Sequence, residues 1–219
     1  MGLADFWNVH QGQTIWVLGS GATLQHTAPG FFADKIVIGT NFSGVMRPEC
    51  DPYSVTHHHI DADRIAEMRP DCLVFTPTVE QVPPEDRSPN RATSPNVVFV
   101  PTTDQHYARF NPFDHWPTDD DRLVVGPTSL HMAMHLAVYM GAAHIMLVGA
   151  DCGEFDGRSR IDGYPDPDGH LHFGIWTRSL EAMAAKIRSL GVGVHSLNPW
   201  VTPRLEGHRY DTEGLTING

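Results

Sequence analysis

The residues best suited to chemistry fall in a few short stretches. Gly19-Ser20-Gly21-Ala22-Thr23-Leu24 directly follows the apolar run Thr14–Leu18. Glycines at 19 and 21 let a backbone turn tightly and approach a ligand closely. Amides at a following helix start would then point at an anion. The turn is not a full G-x-G-x-x-G, because Leu24 takes the last place, and no Lys-Ser/Thr pair follows to make a P-loop. A tight turn with no ligand is the plain alternative. Gly126-Pro127-Thr128-Ser129 is a second place for an anion. There Thr128 or Ser129 either caps a helix or turns its hydroxyl to a phosphate.

Histidines supply the other candidates. Thr56-His57-His58-His59-Ile60-Asp61 reads T-H-x-H-x-D, which resembles the metal motif of metallo-β-lactamase-type hydrolases. Alternate residues of a strand share a face, so His57, His59 and Asp61 can converge on zinc there. That family's pattern continues with a histidine where this chain has Ala62, and the favoured reading is a polar strand end lining a cleft. His170 and His172 form a second alternating pair in a loop of Asp, Pro and Gly. A histidine there suits a general base, because its pKa lies near neutral. Asp151 ends an apolar run, where α/β proteins place ligand contacts, or else it simply makes a turn.

These groups need a scaffold. Short apolar runs at 14–18, 35–39, 53–56, 72–76, 97–100, 144–149 and 192–197 read as strands. Helices are expected over 62–69, with Pro70 as a stop, from Thr128 to about Met140, with Gly141 as a stop, and over 177–190, with Gly191 as a stop. The second of these carries little polar surface and should be buried. The third shows Leu180, Met183, Ala184 and Ile187 at helical spacing. Strands alternating with helices over short loops predict a Rossmann-like α/β fold: a mostly parallel sheet with helices on both faces. A single domain over 1–219 is expected, with a loop-rich insert at 102–122 acting as a lid or facing a substrate.

Composition narrows the function classes. The chain has 219 residues, 41% of them apolar and 19% charged, which is globular rather than disordered. Its formal charge of −11 argues against general attraction to nucleic acid or anionic membranes. Cys50, Cys72 and Cys152 are far apart and form no C-x-x-C pair, which suits reduced thiols. Met1–Asp5 lacks a basic region followed by an apolar run, so no secretory signal is read. No apolar stretch reaches the roughly 18 residues of a membrane span. The expected location is cytoplasmic.

Taken in order, the motifs resemble a known family. The series is Val-Leu-Gly-Ser-Gly-Ala-Thr-Leu, then Ile-Gly-Thr-Asn41, then Gly-Pro-Thr128-Ser129 leading a long apolar helix, then Ile-Met-Leu-Val-Gly-Ala-Asp151. A histidine loop precedes the last helix, and Ser-Leu-Asn198-Pro follows the last strand. This resembles the bacterial sialyltransferases of glycosyltransferase family 42. It also resembles the related DUF115 group, which includes flagellin glycosyltransferase-like proteins and an archaeal hydroxymethylpterin diphosphokinase. The likeness runs over about residues 14 to 200.

The resemblance implies a glycosyltransferase that moves a sugar from a nucleotide-activated donor to an acceptor hydroxyl, without a resident metal or cofactor. By that likeness Gly19, Ser20, Gly21, Ala22, Thr23, Asn41, Thr128 and Ser129 meet the donor. His172 or His170 stands as the base, and Tyr164 is the loose counterpart of tyrosines that assist the leaving phosphate. Asp61 and Asp151 complete the donor set. A second reading is a pyrophosphokinase needing ATP and Mg²⁺, with Asp61 and Asp151 holding the metal. The zinc hydrolase and a non-catalytic nucleotide-binding module are the others. The acceptor and the oligomeric state stay open.

Overall fold

The apolar runs become strands, and they align side by side in a computed structural model that describes residues 1–49, 53–78, 92–102, 122–155, 157–165 and 173–197. The strands are β1 (Thr14–Leu18), β2 (Ile36–Thr40), β3 (Tyr53–Val55), β4 (Leu73–Pro77), β5 (Val97–Val100), β6 (His144–Val148) and β7 (Gly193–Ser196). They form one sheet in the order β5-β4-β3-β2-β1-β6-β7. Every neighbouring pair is parallel. This is the Rossmann-like α/β architecture.

Parallel strands need crossovers, and the crossovers here leave helices on both faces. The helices are α1 (Ser43–Met46), α2 (His59–Met68), α3 (Ser129–Tyr139) and α4 (Phe173–Ser189). Successive strand residues point to opposite faces. Ile15 and Val17 of β1 therefore join one core with Ile145, Leu147, α3 and α4. Leu18 joins the other with Val37, Val74, Met146 and the α2 residues Ala62, Ile65 and Ala66. α3 is buried all round, as its composition predicts, and even His131 and His135 on it are covered. His135 is tolerated there because its Nδ1 accepts the Val124 backbone N–H at 2.6 Å.

The link after β1 forms a short 3-10 turn, Ala22–His26. Two helix starts differ from expectation. α2 begins at His59, three residues before the expected start, so His59 and Asp61 are helical. α4 begins at Phe173, ahead of the expected Thr177. Most of the 102–122 insert lies outside the described residues. At its edges, Thr102 bridges Leu123 in parallel. Among the described residues, no helix is long and apolar enough to cross a membrane.

The strand order sets the location of a site. β1 lies between β2 and β6, and the chain winds outward in one direction from β1 to β5 before returning to the other side with β6. Beyond the carboxyl ends of β1 and β6 the loops diverge, and that is where open α/β sheets form ligand crevices.

Candidate functional site

A cleft of about 310 Å³ opens at this point, the size of a small-ligand pocket. The turn after β1 forms one side of it. Gly19 N–H donates to the Val148 carbonyl at 2.8 Å, and Gly21 N–H donates to the Gly149 carbonyl at 2.8 Å. Thr23 donates its N–H to Asp151 Oδ2 at 2.8 Å and its hydroxyl to Asp151 Oδ1. Both glycines are needed by this packing. A Cβ on Gly19 would strike the Gly149 carbonyl, and one on Gly21 would strike the Asp151 carboxylate.

The expected amide cradle is therefore modified. The amides of residues 19, 21 and 23 are engaged within the protein, and no α-helix starts here to add others. Gly19, Ser20 and Gly21 line the cleft, while Ala22 and Thr23 are buried beneath it. Asp151 also lines the cleft. Burial pushes its carboxyl pKa up, and the Thr23 hydrogen bonds pull it part of the way back.

The start of α3 supplies the facing wall. Thr128 and Ser129 both line the cleft. Thr128 N–H donates to His131 Nδ1 at 3.3 Å, so a buried imidazole caps this helix. The ring lies where a Cβ on Gly126 would sit, which makes the glycine obligatory. Ser129 Oγ donates to Asn41 Oδ1 at 3.1 Å. Asn41 follows β2 with a left-handed φ of 51°, a conformation asparagine tolerates better than most residues. Its own N–H is held by the Val55 carbonyl at 2.8 Å. Residues 20, 41, 128, 129 and 151 are thus gathered around one cleft.

The histidine cluster separates. His57 and His58 line the cleft, but His59 turns away and its Nε2 lies 2.8 Å from the Pro77 carbonyl oxygen. Asp61 sits on α2 beside Arg64, at 3.4 Å, and is not part of the cleft wall. An early helix start removes the alternation that zinc ligation needed. Among the described residues no group of three His, Cys, Asp or Glu side chains could hold a metal ion. His57 itself is unusual. Its Nε2 is buried with no hydrogen-bond partner among the described residues. Burial, with help from His58 and His131, lowers its pKa to about 3, so the ring is neutral.

Two parts of the wall escaped the sequence reading. The loop after β6 brings in Arg160, which lines the cleft. Ile161 N–H donates to the Ser20 carbonyl at 2.9 Å and ties this loop to the glycine turn. The first turn of α4 brings Phe173 and Trp176, packed edge to face at 5.8 Å. The only sequence signal for Arg160 was an arginine two residues after Arg158 and four before a tyrosine, in a Gly- and Asp-rich loop. Tyr164 lies beneath Arg160 and is not part of the cleft wall. Cys152 lines the cleft with a φ of 47°. Burial, with the Asp151 charge, pushes its thiol up to about 12, so it stays protonated. His170, His172 and Asn198 lie outside the described residues.

Comparison with known protein families, with curated proteins and with solved structures finds no match for this chain.

Proposed function

We propose that the cleft binds the phosphate-bearing part of a nucleotide-activated sugar and that the protein is a glycosyltransferase. The observation that carries this is the meeting of separate segments at the point where the strand order reverses. Ser20 and Asn41 follow the carboxyl ends of β1 and β2, Ser129 opens α3, and all three line one cleft. Polar hydroxyl and amide groups there can orient a phosphate and a ribose, while Phe173 and Trp176 offer an aromatic wall to a base or a sugar ring. The likeness of the motif series to the sialyltransferases supports the same reading.

In the proposed step the acceptor oxygen attacks the anomeric carbon and forms the new C–O bond. The bond from that carbon to the donor phosphate breaks, and its electron pair leaves on the phosphate oxygen. The acceptor proton passes to His172, or else to His170. His57 is poorly suited to that task, because a ring with a pKa of about 3 is a weak base at neutral pH.

A thermal-shift screen against CMP-, UDP-, GDP- and ADP-sugars and ATP, with and without Mg²⁺, tests the reading. A ligand at 100 times its Kd should add about 2.7 kcal/mol of stability. Stabilisation by a nucleotide sugar, followed by sugar transfer, is the expected result. Stabilisation by ATP with Mg²⁺ alone would replace the reading with the pyrophosphokinase. No shift with any of them would remove it.

A further inference from the structure

We propose that Arg160 receives the ligand's phosphate and that Tyr164 is the positioning residue that holds the guanidinium for it. This rests on the transferase reading and names the charged group in its site. Arg160 is half-buried in the cleft wall. Its guanidinium lies 4.7 Å over the Tyr164 ring. Stacking of this kind removes rotamer freedom from a long side chain and leaves its planar fork of N–H donors in a set direction.

The donors are underused. Nη1 reaches Ser20 Oγ at 3.4 Å, a long and weak contact. Nε is buried with no hydrogen-bond partner among the described residues. A half-buried arginine ordinarily meets a carboxylate, because burying an unpaired charge is costly. The carboxylate that lines the cleft among the described residues is Asp151, and Thr23 holds both of its oxygens. An anion arriving in the cleft would satisfy the fork, and phosphate matches its bidentate geometry.

The Tyr164 phenol is buried, which pushes its pKa up, while Arg160, Ser20, the Phe42 backbone and Asn41 pull it back. The simpler alternative is that Arg160 only ties its loop to the glycine turn.

Calorimetry with inorganic pyrophosphate as the probe separates these. The full chain is compared with Arg160→Ala, Arg160→Lys, Tyr164→Phe and Tyr164→Leu, with circular dichroism to check folding. Arg160→Ala should bind roughly ten- to hundredfold more weakly, the range of charge-assisted hydrogen bonds. Arg160→Lys should fall between, since it keeps the charge and loses the fork. Tyr164→Phe should keep wild-type affinity because the ring remains, and Tyr164→Leu should resemble Arg160→Lys. If Tyr164→Leu does not fold, Tyr164→Met, longer and unbranched and so better able to fill an irregular gap, takes its place. Unchanged affinity in a folded Arg160→Ala overturns the proposal, and nucleotide-sugar binding that persists there leaves the transferase reading standing. Unchanged affinity in Tyr164→Leu or its substitute overturns the positioning role. Arginine-dependent pyrophosphate binding with no response to any nucleotide overturns the transferase reading alone. A wild-type chain that binds neither pyrophosphate nor nucleotides overturns both.

Discussion

Thr23 gives both its backbone N–H and its hydroxyl to the carboxylate of Asp151, joining the turn after β1 to the exit of β6. The pair lies at the base of the cleft, and Asp151 is only 1% exposed. An aspartate that looks like a ligand contact in sequence thus also holds together the site's two sides.

Replacing Asp151 separates its acceptor role from its charge. Asp151→Ala leaves two donors on Thr23 unsatisfied and should cost about 2–4 kcal/mol in urea denaturation. Asp151→Asn keeps an acceptor for the Thr23 N–H and should cost about 1 kcal/mol or less. The charge acts in the opposite sense. Burial raises the folded-state pKa of Asp151 above its ordinary value of 3.8. Its contribution is therefore fully present below that value and is lost as pH rises through the folded pKa. The stability gap between wild type and Asp151→Asn should shrink as the pH is raised from acid to neutral. A gap that widens would show that the Thr23 bonds outweigh burial.

Gly21 should tolerate no side chain. An added Cβ would fall 2.6 Å from the Gly149 carbonyl oxygen and against the Asp151 carboxylate. Gly21→Ala should therefore cost about 2 kcal/mol or more, the scale of other backbone and overpacking clashes. Gly174, in the first turn of α4, meets nothing within 4 Å, so Gly174→Ala should be neutral or stabilise by up to about 1 kcal/mol. Thermal melts of the two variants check the contrast. Equal melting points would mean that the turn relaxes freely.

The same residues show how far the sequence could be read. β1, β6 and α3 were legible because each is an apolar run closed by glycine, and burial on both faces needs nothing else. The glycines at 19 and 21 were legible as a special turn, but the reason for them was not. They make room for Gly149 and Asp151, which are distant in sequence, and local pattern carries no sign of that. The start of α2 was misjudged because an alternating T-H-x-H-x-D reads as strand. The deciding contact, His59 with the Pro77 carbonyl, is a tertiary one. Arg160 was invisible because its neighbours have no period, and its partner ring acts only once the loop is folded.

Buried neutral histidines should make the fold sensitive to acid. Burial lowers His131 to about 4 and His135 to about 3. A folded-state pKa below the unfolded value means the stability is present above about 6.5 and is lost as pH falls toward the folded value. Each such group should add a slope approaching about 1.4 kcal/mol per pH unit below 6. His135→Gln removes one titrating ring and leaves an acceptor for the Val124 N–H. Urea denaturation from pH 7 to 4.5 should show a shallower loss in this variant. Parallel curves for variant and wild type would mean that His135 is charged in the folded chain or still protonates without cost.

The proton acceptor of the proposed transfer can be assigned by separating turnover from binding. His172 directly precedes Phe173, whose side chain lines the cleft, and His170 lies two residues earlier. A general base contributes typically about 10²- to 10⁴-fold to a rate. Alanine at the true base should lower kcat by about that range and leave donor affinity in the calorimeter unchanged. The loss should ease as pH rises and the acceptor ionises without help. Alanine at the other histidine should leave kcat within a few-fold of wild type. If neither substitution slows turnover, the base lies elsewhere. His58, also in the cleft wall, is then the next residue to replace.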